Sequence, residues 1–425
     1  MRPVFVLILH PAAPADAGPL VRALAEARHA LAERQRAAFL DAGADSAEVV
    51  AGPPDGLPFG ERLAAELRTR GAAGPSGRAS GAGGGSHGAM SRAGAGVQAV
   101  GGLIVLGSGS IPLATPADLR RFVEVAAGPG GHALANNRYS ADVVAISRAA
   151  DLAGLAPLPA DNALPRWLEE RAGVAVADLG SRWRLGVDID TPQDLIVLRD
   201  PAAAALLRTA PLFGERLAAL TDVMSNRRAE LLLVGRVSAA TLTWLQRGVA
   251  CRVRALVEER GLRAASRLAQ SDWDGGARGG RAASGANDPA TDGATDPATN
   301  QAADRAANQA AAGATPRRPR SILGELLDRD GPEALALAVS RLADAAVIDS
   351  RVLIAHRFGA DESAWPVPED RFASDLLLAA DVADPWLRAL TGAAATAPAP
   401  IVLGGHTMVN GGLRLLATRA RAGAR

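Results

Sequence analysis

The chain has 425 residues, enough for two or three domains, with 48% hydrophobic and 21% charged residues, a composition that excludes a wholly disordered protein. A net charge of +1 gives no overall argument for a nucleic-acid or membrane partner, and a lone cysteine, Cys251, excludes an intrachain disulfide framework and any multi-cysteine metal site. All 46 basic residues are arginine, so Schiff-base and P-loop lysine chemistry are excluded, and phosphate recognition must use arginine, backbone N–H groups or helix ends.

Pro3 to Leu9 is an unbroken apolar run and predicts a buried strand, too short to span a membrane. A helical stripe of Leu24, Ala27, Leu31 and Ala38 follows within residues 20–42, then a short strand at Ala47–Val50. A turn cluster over residues 55–60 leads to a helix from Glu61 to Arg70, and residues 71–96 form a Gly/Ala/Ser-rich insertion expected to be disordered. Gly102–Leu106 reads as a strand and Gly107–Leu113 as a loop. Thr115 and Pro116 open the next helix as cap and first residue. The Asn-rich stretch 136–142 reads as a turn into another strand, and Asp161–Leu168 as a capped amphipathic helix with Trp167 on its core face.

Leu185 to Leu195 carries the densest chemistry. Asp188 and Asp190 are two residues apart, a spacing that in a strand brings both carboxylates to one face. Thr191, Pro192 and Asp194 supply the cap, first turn and charge for a following helix. Two oxygen ligands so placed suit Mg²⁺ or Mn²⁺, and a plain helix cap with a second solvated aspartate accounts for the same residues.

The second half is expected to be helix-rich over residues 200–270, where Leu231–Val234 fits either a buried helix or a short strand. Residues 271–320 form a low-complexity linker, and 321–425 an α/β region. Helices are expected at 322–327, 332–342 and 383–390, strand or turn elements at Ala346–Ile348 and Val352–Ile354, and a strand at Pro400–Leu403. His356, Asp370, Arg371, Asp375 and His406 could form a second polar site, against which ordinary turn glycines and capping acids are the simpler reading.

Strands alternating with helices predict an α/β fold with a mostly parallel, three-layer, Rossmann-like sheet. Ligands in such sheets bind at the carboxyl ends of strands, which makes the loops after Leu9, Leu106 and Val187 candidates for one site. Within residues 1–199, the strand–helix–Ala42-Gly43-Ala44-Asp45 order, Val105-Leu106-Gly107 with Ile111-Pro112-Leu113, and Asp188-Ile189-Asp190-Thr191-Pro192-Gln193-Asp194-Leu195 together resemble the nucleotidyltransferases of the nucleotide-diphospho-sugar transferase fold. The nearest are the molybdenum-cofactor and 2-phospholactate guanylyltransferases. No stretch of the sequence approaches the length of a spanning helix, and a cytoplasmic protein is expected. The resemblance implies an enzyme that uses a nucleoside triphosphate and Mg²⁺ (or Mn²⁺) to transfer a nucleotidyl group to a phosphorylated acceptor. Asp188 and Asp190 would hold the metal, and Gly107, Ser108, Ser110, Asn136, Asn137, Arg138 and Arg184 would surround the nucleotide. Two departures stand beside it. The loop His10–Pro19 is proline-rich and has no arginine before Arg22, and Gly107-Ser108-Gly109-Ser110 replaces the family's metal-binding Gly-Asp. They keep two alternatives open: a non-catalytic nucleotide-binding or scaffold protein, and a glycosyltransferase acting on a nucleotide sugar.

Overall fold

The structure is a computed structural model and describes residues 2–52, 59–72, 101–155, 158, 161–258, 320–359 and 362–423. Most of the turn cluster at 55–60, the Gly-rich insertion beyond Ala72 and the low-complexity linker up to residue 319 lie outside these residues. Among the described residues ten strands form two sheets. The first contains β1 (Val4–Pro11), β2 (Ser46–Gly52), β3 (Gly102–Gly107), β4 (His132–Ala135), β5 (Val143–Ile146) and β6 (Ala175–Asp178), in the order β2-β1-β3-β5-β4-β6. Only β5 runs antiparallel to its neighbours; every other pairing in that sheet is parallel.

Strand alternation sends side chains to opposite faces, and both faces of the first sheet are covered. Val4, Val6, Ile8, Ile104 and Leu106 pack against Phe39 and against Phe122 of the helix Pro116–Ala127. Leu7, Leu9, Leu103 and Val105 pack on the other face against Leu63 of the helix Phe59–Ala72 and Leu168 of the helix Leu164–Glu170. Trp167 is partly buried against that second cluster. Thr115 caps its helix as expected, and Asp118 completes a reciprocal capping box with it.

The second sheet is wholly parallel. Its strands are β7 (Glu230–Gly235), β8 (Arg252–Val257), β9 (Ala345–Asp349) and β10 (Ile401–Gly404), in the order β10-β9-β7-β8. Two sequence expectations change here. The stretch expected to be helix-rich over 200–270 supplies half of this sheet: β7, where Leu231–Val234 had left a short strand open, and β8, which was not expected. Val352–Ile354, read as strand or turn, sits within the helix Ser350–Phe358, because the Asp349 side chain accepts the Arg351 N–H and starts a helix directly at the strand end. A buried helix and a buried parallel strand share the same continuous apolar pattern, so periodicity could not separate them.

The helix α1 (Pro19–Asp41) joins the halves. Leu20, Leu24, Ala27 and Leu31 belong to the same buried cluster as Leu195 and the second-sheet residues Leu233, Val347 and Leu403, while Ala32 and Phe39 belong to a core cluster of the first sheet. No side chain of its own caps α1. Glu369, from the helix Pro368–Asp375, fills that role. Its Oε1 accepts the Leu20 N–H at 2.9 Å and its Oε2 the Val21 N–H at 3.1 Å, placing a carboxylate at the positive helix end. Gln193 adds a second tie, donating from Nε2 to the Leu403 carbonyl at 2.6 Å.

Since one cluster of buried residues spans both halves, they should unfold together. Leu195→Ala should cost about 2–5 kcal/mol in a urea titration followed by tryptophan fluorescence while leaving a single transition. Two resolved transitions in the wild type would contradict the shared core. Glu369→Ala should cost about 1–2 kcal/mol through the lost cap, with Glu369→Gln recovering part of it. An unchanged urea midpoint in Glu369→Ala would remove the cap from the account.

Candidate functional site

The three loops singled out by the carboxyl-end rule do meet. The Ser108 N–H bonds the Leu9 carbonyl at 2.9 Å, and the Ile189 N–H bonds the Gly109 carbonyl at 2.9 Å. His10 Nδ1 lies 3.0 Å from the Ser108 hydroxyl, with both residues buried. Burial, His29 and Arg28 together lower the His10 pKa, so the ring is neutral at pH 7. Ile111 in the same loop holds φ 45, an uncommon conformation for a β-branched residue.

The segment Val187–Asp190 has no sheet partner; it is an unpaired run between the short 3-10 turn Trp183–Gly186 and the helix Pro192–Leu198. Asp188 and Asp190 nevertheless interact, the Asp190 charge being one reason the Asp188 pKa is raised. Asp188 is partly buried, and its Oδ1 accepts the hydroxyl of Thr407 from the second half. Burial, Asp190 and Asp142 raise its pKa well above the usual carboxylate value, against the Thr407 hydrogen bond. Asp190 has a side chain 55% exposed and an ion pair with Arg28 at 2.9 Å. Asp194 is buried and caps its helix, accepting the N–H groups of Asp190 and Thr191 and the Thr191 hydroxyl. Burial and the Asp190 charge push its pKa up to about 7, the cap hydrogen bonds opposing them.

The residues expected around the nucleotide separate into two groups. Gly107, Ser108 and Ser110 stay at the loop junction, where the Ser110 carbonyl accepts from Gln35. The others spend their polar groups on the fold. Asn136 donates to the Asp142 carboxylate and the Leu185 carbonyl, and its own carbonyl accepts the Asp142 and Val143 N–H groups. The Asn137 carbonyl accepts the Tyr139 N–H, and Arg138 pairs with Glu169. Arg184 and Arg182 both clasp the buried Asp118, at 2.8 and 2.5 Å. Burial alone would raise the Asp118 pKa, but the Thr115 hydrogen bonds and the two arginines outweigh it and hold it at about 2.

A cleft of about 840 Å³ lies between the sheets. The Pro11–Gly18 loop, Arg28 and Asp190 line one side, and Arg236, Arg351, Trp365, Arg371 and His406 line the other. Its second-half wall stands at strand ends. Gly235 ends β7 at φ +115, and a Cβ there would lie 2.4 Å from that of Asp349, so glycine lets the chain turn closely enough for Arg236 to clasp Asp349 at 2.6 and 3.1 Å. Asp349 and Arg351 follow from β9, and Arg351 pairs with the buried Asp375 at 2.6 and 2.9 Å. Asn410 donates to the Arg236 and His406 carbonyls, tying these two segments together.

Of the second polar set, Arg371 and His406 reach the cleft, and Asp375 supports it through Arg351. Asp370 instead accepts the Asp384 N–H. His356 accepts the Ser321 N–H at Nδ1, leaving Nε2 to donate to Asp328, a structural role away from the cleft. Sequence reasoning passed over Arg28, Arg236, Arg351 and Trp365. A firm strand assignment at 231–234 would have exposed Arg236 through the carboxyl-end rule, since it follows that strand by two residues.

Fold and cleft together define a two-sheet α/β protein with a polar site between its strand ends. Compared with known protein families, curated proteins and solved structures, the chain matches none. Among the described residues no helix is long and apolar enough to cross a membrane.

The raised Asp194 pKa carries a sign. Its carboxyl ionises near pH 4 when unfolded and at about 7 when folded, so this residue's contribution to stability falls as pH rises between those values. Urea midpoints measured from pH 4 to 8 should therefore drop more steeply in the wild type than in Asp194→Asn. Parallel curves for the two proteins would assign the dependence to other groups.

Proposed function

We propose that this protein binds a nucleoside triphosphate or nucleotide sugar where the loops after β1 and β3 meet the Asp188–Thr191 segment. The ligand's phosphates turn into the cleft, and nucleotidyl transfer is the reaction such an arrangement would serve. The observation that carries the proposal is the convergence of those three loops at the point where the strand order reverses, between β1 and β3. Ligands of open α/β sheets bind at that point. Arg28, with its Nε on the Ile189 carbonyl and Nη2 on Asp190, is the arginine placed to answer phosphate charge in a chain without lysine. The sequence resemblance over residues 1–199 points to the same class of ligand.

The Asp188–Asp190 pair does not fit a resident divalent-metal centre as it stands. Asp188 is engaged by Thr407 and Asp190 by Arg28, and among the described residues no three or more His, Cys, Asp or Glu side chains are placed to hold a metal ion by themselves. No chemical step is therefore assigned to a metal. The same observation favours a second reading, in which the nucleotide is bound without transfer. The arginine-held site has a distinctive consequence: Asp190 competes with phosphate for Arg28.

Calorimetry with GTP, CTP and a UDP-sugar, with and without Mg²⁺, tests these readings. Binding of one of them should weaken about tenfold in Arg28→Ala. In the absence of Mg²⁺ it should tighten a few-fold in Asp190→Ala, as Arg28 is released from its pair. Failure of all three ligands to bind at millimolar concentration would end the proposal. Loss of a strong Mg²⁺ dependence in Asp190→Ala would instead restore that residue as a metal ligand. Pyrophosphate release on adding a phosphorylated acceptor separates transfer from binding alone.

A further inference from the structure

We infer that the second sheet carries its own oxyanion subsite, so that the cleft takes two anionic ligands, one from each sheet. The inference deepens the nucleotide reading and rests on it only for the identity of the first occupant. In the order β10-β9-β7-β8, the chain runs from β7 outward to β8, then returns to the other side for β9 and β10. The strand order thus reverses between β7 and β9, and the carboxyl ends of those strands deliver Arg236 and Arg351. Each sheet has its own switch point, and residues beside both line the one cleft.

The chemistry at the second point suits an oxyanion with two or more charges. Arg236 and Arg351 are fixed from behind by Asp349 and Asp375, both wholly buried. Arg236 spends two of its five N–H donors on Asp349, and Arg351 makes two bonds to Asp375 and one to the Ser350 hydroxyl. Buried pairs of this kind would be structural alone, each net neutral; Arg371 differs in that its ion-pair partner, Glu362, is exposed and exchangeable. Its side chain is 15% exposed, it stands 5.5 Å over the Trp365 ring, and its carboxylate neighbour Glu362 is 3.6 Å away and exposed. Its Nε is buried without a hydrogen-bond partner. Burial and the neighbouring Arg351 charge work against its positive charge and outweigh the support of Glu362 and Asp375, so an arriving anion would add to what the exposed Glu362 supplies. The bound group is a phosphate or a carboxylate; both present the oxygen pair that a guanidinium fork accepts.

Pyrophosphate and citrate, titrated separately into the full chain at low ionic strength, probe the two sources. At least one should bind, and should bind about tenfold more weakly to Arg371→Ala than to the wild type. It should also bind the wild type saturated with GTP, as a second event. The probe that binds more tightly identifies the ligand as phosphorylated or carboxylated. The inference is overturned if neither binds at millimolar concentration, if Arg371→Ala binds as the wild type does, or if GTP and the oxyanion exclude each other. Should Arg371→Ala fail to fold, Arg371→Lys replaces it and should bind the oxyanion more weakly than the wild type, since lysine keeps the charge but loses the fork; wild-type affinity in Arg371→Lys would overturn the inference. Oxyanion binding through Arg371 without any GTP binding would sustain this inference and defeat the nucleotide reading. GTP binding without a second event would do the reverse.

Discussion

The structure depends on one helix that serves two cores. α1 lays Leu24 and Leu31 into the cluster built around the second sheet, and Ala32 and Phe39 into a cluster of the first. A helix of 23 residues is long enough to do this, and its opening N–H groups need an acceptor that its own sequence does not supply. Glu369 supplies it from the far half. The two sheets are therefore coupled by packing and by a charge-to-dipole contact together, and the cleft between their strand ends has its walls held by that joint.

Charge in the cleft is organised as arginines backed by carboxylates. Arg28 leans on Asp190, Arg236 on Asp349 and Arg351 on Asp375. The last two carboxylates are buried, so their attraction is weakly screened and the guanidinium planes are held in place before any ligand arrives. Asp190 differs in being exposed, and its pair with Arg28 is correspondingly easy to exchange. A lysine-free chain makes this pattern chemically consequential, because planar forks, unlike point charges, select ligands by oxygen geometry.

Much of the first half was legible from residue order. The helix cap at Thr115, the strand at 102–106 and the long helix follow from local patterns, and the structure has all three. The meeting of the loops after Leu9 and Leu106 followed from one general rule about parallel sheets, whereas Val187–Asp190 joins them without ending a strand. Asn136, Arg138 and Arg184 had the composition of a binding site, yet their partners are Asp142, Glu169 and Asp118. Residue type says what a side chain can bond, and only its neighbours say whether that capacity is already spent. The second sheet was largely hidden, since Leu231–Val234 is apolar throughout and two of its strands are separated by the long low-complexity stretch.

The sequence by itself determined the alternating α/β character, the capped helix after Asp190, the reliance on arginine and the candidate strand-end loops, because each is set by neighbours within a few residues. Tertiary structure decided the rest. It brought Thr407 onto Asp188, Glu369 onto α1, and Arg236, Arg351 and Arg371 around one cleft, across separations of up to hundreds of residues. Long-range contacts of this kind are fixed by which buried faces fit together, and no local periodicity encodes that choice.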